Sequence, residues 1–170
     1  MAWAASRRTR QWLAVVGLAA VMAGHGAITE WQRNHAFMVN ASDSLPHWAF
    51  FVEKEKSPKR GDYVFFEPPA SPLLRAHFGI DSGPFGKKIL GVPGDVVRHT
   101  HRLVTINYNV VGSTKPLTRS GMPLARGPEG VIPEGCYYAG TDHPDGFDSR
   151  YSAIGFVCQN KILGTGTPIL

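Results

Sequence analysis

The sequence predicts a mainly β protein: short, largely antiparallel strands in a compact domain, carried behind one N-terminal transmembrane helix. Three observations predict it. Gly occurs 19 times and Pro 13 times in 170 residues, a balance that favours turns and strands over a helix bundle. Hydrophobic residues make up 43% of the chain, enough for one real core, and the length suits one domain with a short appendage. One stretch near the N-terminus is apolar enough to cross a bilayer.

That stretch is "WLAVVGLAAVMAGHGAI", Trp12 to Ile28. It contains no Asp, Glu, Lys or Arg, and its 17 residues stand at the short end of the roughly 17–25 that span a membrane. Arg7, Arg8 and Arg10 precede it and set its N-terminal side in the cytoplasm. Trp12 and Trp31 flank it, where interfacial aromatics sit. The organisation that follows is a cytoplasmic tail over 1–11, an anchor over 12–28, a membrane-proximal linker over 29–40 and a domain outside the cytoplasm over 41–170. A cleavable signal peptide is the rival reading. Val21-Met22-Ala23 has small residues suited to cleavage, and a mature start at Gly24 would remove the anchor.

The domain reads as strands in sequence. "GDYVFFEPP", Gly61 to Pro69, is a turn, a buried strand and a stop at the double proline. Residues 70–86 are loop-like, with room for one helical turn. A strand starts near Lys87 and ends at the Pro93-Gly94 turn, after which Asp95 reads as a turn residue. Val96 and Val97 enter the next strand. "LVTINYNVV", Leu103 to Val111, has the β-branched and aromatic content of another. Residues 112–134 are rich in Gly and Pro and read as irregular. "CYYAG" and "IGFVC" are two further strands around the loop "TDHPDGFDSRYS".

The formal charge is +5. The basic residues are scattered, not striped with aromatics, so nucleic acid is not the indicated partner; an anionic membrane surface suits them better. Outside the cytoplasm, Cys136 and Cys158 would meet oxidising conditions, which favour a disulfide; two buried free thiols remain the other reading. Neither lies in a C-x-x-C motif. His99 and His101 could share a strand face, but without a third ligand they make no metal site. No metal or cofactor is implied.

Two stretches carry candidate chemistry. "NASDSLPHWAFF" places Ser42 and Ser44 two apart, and Pro46 bars a helix there, so Ser44 is presented on a bend or an extended segment. A serine hydroxyl needs a base to become a nucleophile. His47 is near in sequence, but there is no G-x-S-x-G elbow. Lysine is the other candidate base. Its ordinary pKa of about 10.4 leaves it charged at neutral pH, and burial in an apolar site lowers that value toward a working range. In "KKILGVPGD", Lys87 and Lys88 open an apolar strand. One would project inward and the other outward; alternation does not say which.

Together these pieces resemble the type I signal peptidases, membrane-anchored Ser-Lys proteases of the S26 type. They are most like the conjugative-transfer (TraF-type) branch. The family's serine box, "GDxV" strand, lysine box and "D-x-R" box read here as "SLP" at Ser44, "GDYVFF" at Gly61, "KKILGVPGD" at Lys87 and "DSRY" at Asp148. They stand in the family's order over nearly the whole chain. The resemblance implies Ser44 as nucleophile and Lys87 as general base. It implies an oxyanion hole from the Ser42 hydroxyl and the Ser44 backbone N–H, and a site-supporting pair in Asp148 and Arg150. Lys88 falls where the family usually has arginine.

Two positions depart from the pattern. Trp48 stands where the conjugative branch usually has glycine. Gly146 stands where many relatives have a serine that hydrogen-bonds the lysine, so another group must position the amine. The implied function is a serine endopeptidase of the bacterial inner membrane, its catalytic domain in the periplasm. It would process pilin-like or other exported precursors of a conjugative type IV secretion system, with hydrolysis and ring closure of a pilin both open. The resemblance also admits a general leader peptidase, and the two departures admit a non-catalytic envelope component. The sequence does not set an oligomeric state. "PHWAFF", Pro46 to Phe51, reads either as an apolar patch that dips into membrane lipid or as core.

Overall fold

The computed structural model describes residues 7–42, 44–80 and 82–169, so residues 1–6 of the segment expected as a cytoplasmic tail lie outside the described residues. The chain divides into a helical unit ending at His35 and a β unit beginning at Ala36.

The helical unit is α1, Arg7–Asn34, 28 residues long. At 1.5 Å per residue it reaches about 42 Å, long and apolar enough to cross a membrane. None of its residues is buried against protein. A helix suits that surface because it satisfies its own backbone hydrogen bonds where no water can. It is longer than the 12–28 stretch read from hydropathy, because Glu30, Gln32 and Arg33 are good helix formers that extend the helix beyond the apolar span.

Eleven strands follow among the described residues, the first starting at the last residue of the helical unit: β1 (His35–Val39), β2 (Ala49–Glu53), β3 (Tyr63–Phe66), β4 (Phe85–Gly91), β5 (Val96–Thr100), β6 (Leu103–Ile106), β7 (Asn109–Ser113), β8 (Gly130–Val131), β9 (Cys136–Gly140), β10 (Val157–Cys158) and β11 (Ile162–Pro168). One short helix, α2 (Pro72–Phe78), lies between β3 and β4. The strands form a seven-stranded sheet in the order β1-β2-β11-β3-β4-β9-β10 and a four-stranded sheet in the order β7-β6-β5-β8. The β2–β11, β11–β3, β3–β4, β4–β9 and β9–β10 pairings are antiparallel.

Side-chain alternation on β4 decides where the lysines go. Lys87, Ile89 and Gly91 are buried while Lys88 and Leu90 are half-buried. Ile89 joins Val64, Phe66 and Ala139 in the core of the large sheet. A second cluster, with Val97, Val104, Ile106 and Ile132, belongs to the small sheet and continues to Tyr138. A third, Leu45 with Phe50, Val52 and Phe65, lies under the loop that follows β1.

Several expectations change. Residues 29–40 are not a linker throughout: the first part completes α1, residues 35–39 are β1 and Asn40 follows it. Ala36 and Met38 alternate inward onto the Leu45–Phe50 cluster, which is why the segment pairs as an edge strand. "LVTINYNVV" is a hairpin, β6 and β7, because Asn107 and Tyr108 take positive φ of 48° and 69°, the pattern of a tight two-residue turn. The helical turn expected within 70–86 is the full helix α2. Ser71 caps it by accepting from the Leu74 N–H at 3.1 Å, and Pro72 suits the first helical position. The irregular stretch 112–134 contains β8. "PHWAFF" divides its faces: Phe50 is buried and Trp48 is 57% exposed. His99 lies within β5, but His101 falls in the following turn at φ 53°, so the two do not continue one strand face. The Cys136 and Cys158 sulfurs are bonded, at 2.02 Å, across the β9–β10 pair.

Asp95 ties the Pro93-Gly94 turn to two other segments. Its Oδ2 accepts from the Val92 N–H at 2.7 Å and from Arg60 Nη2 at 2.5 Å, and its Oδ1 accepts from Asn107 Nδ2 at 2.7 Å. Burial alone would raise its pKa, but these hydrogen bonds and the Arg60 charge together hold it below the ordinary 3.8. A depressed carboxylate contributes stability that is present above the unfolded-state value and lost as pH falls through the folded one. Asp95→Ala should therefore cost about 1–3 kcal/mol at neutral pH by stranding the Val92 and Asn107 donors, read by urea denaturation. The difference from the parent should shrink as pH drops below 3.8.

Candidate active site

Ser42 and Ser44 lie in the loop between β1 and β2. Leu45 is buried beneath it and anchors it to the core. The two hydroxyl oxygens are 2.8 Å apart. Ser44 and Lys87 line one cleft of about 870 Å³, within the range of ligand pockets. Phe65, Phe85, Leu124 and Phe147 contribute its apolar walls.

Lys87 reaches this cleft from β4, opposite Val64 of β3. The residue is 6% exposed. Its Nζ lies 5.9 Å from the centre of the Phe85 ring, and no side chain within ion-pair distance compensates it among the described residues. Burial pushes its pKa down from the ordinary 10.5; the Asp148 charge works against this, and the Arg150 charge adds to it. Lys88, on the other face, is the half-buried member of the pair.

Asp148 and Arg150 lie behind the cleft on the loop that follows β9. They are 0% and 3% exposed. The pair is bidentate: Arg150 Nε donates to Asp148 Oδ1 and Nη2 to Oδ2, each at 2.8 Å. Arg150 Nη2 also donates to the carbonyls of Thr141 (3.3 Å) and His143 (3.0 Å). This is a buried, bidentate pair, unlike a surface ion pair that would be worth little.

Thr141 joins this pair to the serine loop. Its N–H donates to Asp148 Oδ2 at 3.2 Å, and its hydroxyl donates to the Ser44 carbonyl. The buried charge pair thus reaches the backbone of Ser44 through one residue. Sequence reading does not find Thr141, because it stands at the end of "CYYAG" with no spacing that marks it.

Gly146 is explained by the same cluster. A Cβ there would lie 2.1 Å from Thr141 Cγ2 and 2.2 Å from Arg150 Nη2. Only a hydrogen fits, so the family's serine cannot stand at this position without moving the Arg150 guanidinium. Trp48 is likewise accommodated: its side chain is exposed and its carbonyl accepts from the Asn40 N–H at 2.8 Å.

At the cleft rim, Lys115 and Arg119 both donate to the Asp145 carboxylate. Their hydrogen bonds hold its pKa down to about 2.

Fold and cleft together define a class: a mainly β domain behind one apolar helix, with paired serine hydroxyls and a dry amine facing the same cavity. The sequence profile of the signal peptidase family, peptidase S26, matches residues 9–170. The chain belongs to that family and is a serine endopeptidase of the signal peptidase type. Among solved structures it is similar to a signal peptidase I from Enterococcus faecalis, at 22% identity and a TM-score of 0.40, covering 66% of this chain and 98% of that one. No curated protein matches it.

Arg150→Ala should leave Asp148 buried without its partner. Breaking a buried pair this way costs about 3–5 kcal/mol, a loss measurable by chemical denaturation. A change under about 1 kcal/mol would mean the pair behaves as an exposed one.

Proposed function

We propose that Ser44 and Lys87 form the catalytic dyad of a membrane-anchored endopeptidase that cuts exported precursors. The observation that carries this reading is that a desolvated lysine and the paired serine hydroxyls line one cleft. Neutral Lys87 Nζ takes the Ser44 proton as Ser44 Oγ attacks the scissile carbonyl carbon. The carbonyl π electrons move to oxygen, and the oxyanion is held by the Ser44 N–H and the Ser42 hydroxyl. Such a donor is worth about 2.7–4 kcal/mol in the transition state. The lysine proton then passes to the leaving amine, and the C–N bond breaks to give an ester on Ser44. Water attacks that ester, Lys87 again serving as base, and the serine is released.

Asp148 and Arg150 support this arrangement through Thr141, whose hydroxyl donates to the Ser44 carbonyl. With α1 as anchor and its arginines on the cytoplasmic side, the β unit works in the periplasm at the face of the inner membrane. The short "SLP" box and the small domain favour the conjugative branch, so the substrate class is a pilin-like precursor of a type IV secretion system. In that branch a peptide amine can replace water as the acceptor and close the subunit into a ring.

Lys87→Ala should abolish precursor cleavage while leaving the protein folded. Lys87→Arg should do the same, because guanidinium keeps its charge. In the parent enzyme the rate should rise with pH as the amine loses its proton, with a midpoint below the ordinary 10.5; a flat profile from pH 5 to 9 would count against the amine as base. Substrate range is a separate question. A panel of unrelated preproteins set beside a pilin precursor should be cut poorly relative to the pilin. Equal cleavage of the panel would assign the enzyme to general leader processing instead.

A further inference from the structure

One side chain inside the serine loop holds both of its limbs. Asn40 follows β1 and is half-buried. Its Nδ2 donates to the carbonyls of Ser42 at 2.6 Å, Leu45 at 3.2 Å and His47 at 3.2 Å. Its Oδ1 accepts from the Ser42 backbone N–H at 3.3 Å and from the Ser42 hydroxyl at 3.1 Å. Its own backbone N–H closes the loop on the Trp48 carbonyl at 2.8 Å. The surroundings determine which end of the carboxamide is which: turned over, the oxygen would face three carbonyl acceptors and the NH₂ the Ser42 backbone N–H.

This orientation decides where the hydroxyl protons point. A serine hydroxyl carries one proton, and that of Ser42 goes to Asn40 Oδ1. The 2.8 Å contact between Ser42 and Ser44 then requires Ser44 to donate. The resting chain runs from Ser44 to Ser42 to Asn40. In the attacking state the Ser44 proton leaves for Lys87 and the Ser42 hydroxyl turns toward the oxyanion. The two Nδ2 hydrogens, shared among the three carbonyls, do not depend on either hydroxyl, and they keep the loop backbone in place through that change.

We propose that Asn40 is a positioning residue of the peptidase, whose carboxamide clamps the loop that presents Ser44 to Lys87 and, in the resting state, sets the direction of the Ser42 hydroxyl. The proposal rests on the Ser44–Lys87 reading. Its effect falls on turnover, because the contacts order the attacking groups and leave the apolar walls of the cleft untouched. A displacement near 1 Å at an attacking group costs on the order of 10²-fold in rate.

The test is precursor cleavage by the full chain in detergent micelles, comparing Asn40→Ala, Ser42→Ala and the double variant with the parent. Active sites are counted by an acylating inhibitor, so that unfolded protein does not enter kcat. Asn40→Ala should lower kcat by on the order of 10²-fold with KM little changed. The double variant should lose less than the product of the two single losses, by about tenfold, because both act on one hydroxyl and one loop. Losses that multiply, or a parental kcat in Asn40→Ala, would overturn the proposal. If Asn40→Ala does not fold, Asn40→Ser carries the same cycle with the same outcomes. Ser44→Ala separates the two readings: activity in Ser44→Ala defeats the dyad itself, whereas an inactive Ser44→Ala beside a fully active Asn40→Ala defeats only the positioning role.

Discussion

An ammonium deprived of water is the constraint around which the β unit is arranged. Lys87 occupies an inward position on a central strand of the seven-stranded sheet, with the neighbouring strands on either side built from core residues. Charge is expensive in such a place, and the ordinary way for a protein to meet that cost is to let the amine lose its proton. In the proposed chemistry that neutral amine is the useful form. The apolar walls of the cleft also weaken the lysine's hold on its proton, so in that proposed chemistry one set of side chains would serve both the substrate and the base.

Beside it stands a second buried charge system with the opposite logic. Asp148 and Arg150 compensate each other in bidentate geometry, and Nη2 also reaches the carbonyls of Thr141 and His143. Satisfied pairs of this kind hold segments in register more than they add net stability. Here they organise the loop after β9, and through the Thr141 hydroxyl they reach the backbone of Ser44. Gly146 belongs to the same system: the space that a side chain would need is taken by the arginine. A departure from the family pattern is therefore a packing requirement of this cluster.

The serine loop is built differently. Its described residues form no helix or strand; its carbonyls at Ser42, Leu45 and His47 accept from one carboxamide within it, and the Leu45 side chain packs into the core below. A loop can hold a reactive group accurately only if its backbone polar groups are satisfied. Asn40 does this with a side chain that both donates and accepts, which neither a carboxylate nor an aliphatic residue can do.

Much of this was legible in the residues. The apolar stretch after three arginines gave a helix of membrane-spanning length, because hydropathy acts locally. Gly and Pro abundance with β-branched runs gave the mainly β class, and "GDYVFF" and "KKILGVPGD" were read as strands on the same grounds. β1, β2, β8 and β11 leave weak marks: β8 has two residues, β11 carries two glycines and ends on a proline, and Ala36 and Met38 become inward-facing only when a neighbouring strand exists. The hairpin at Asn107 was hidden because left-handed backbone at an Asn-Tyr pair leaves a weaker mark than Asn-Gly. What the sequence by itself determined is the set of groups present: serines two apart, a lysine pair at the mouth of an apolar strand, a carboxylate two residues before an arginine. Only the tertiary structure decided which lysine is dry, that Thr141 links the charge pair to Ser44, that Gly146 admits no side chain and that Asn40 spans the serine loop. Burial and contact depend on strands far apart in the chain, and no local pattern encodes the distance between them.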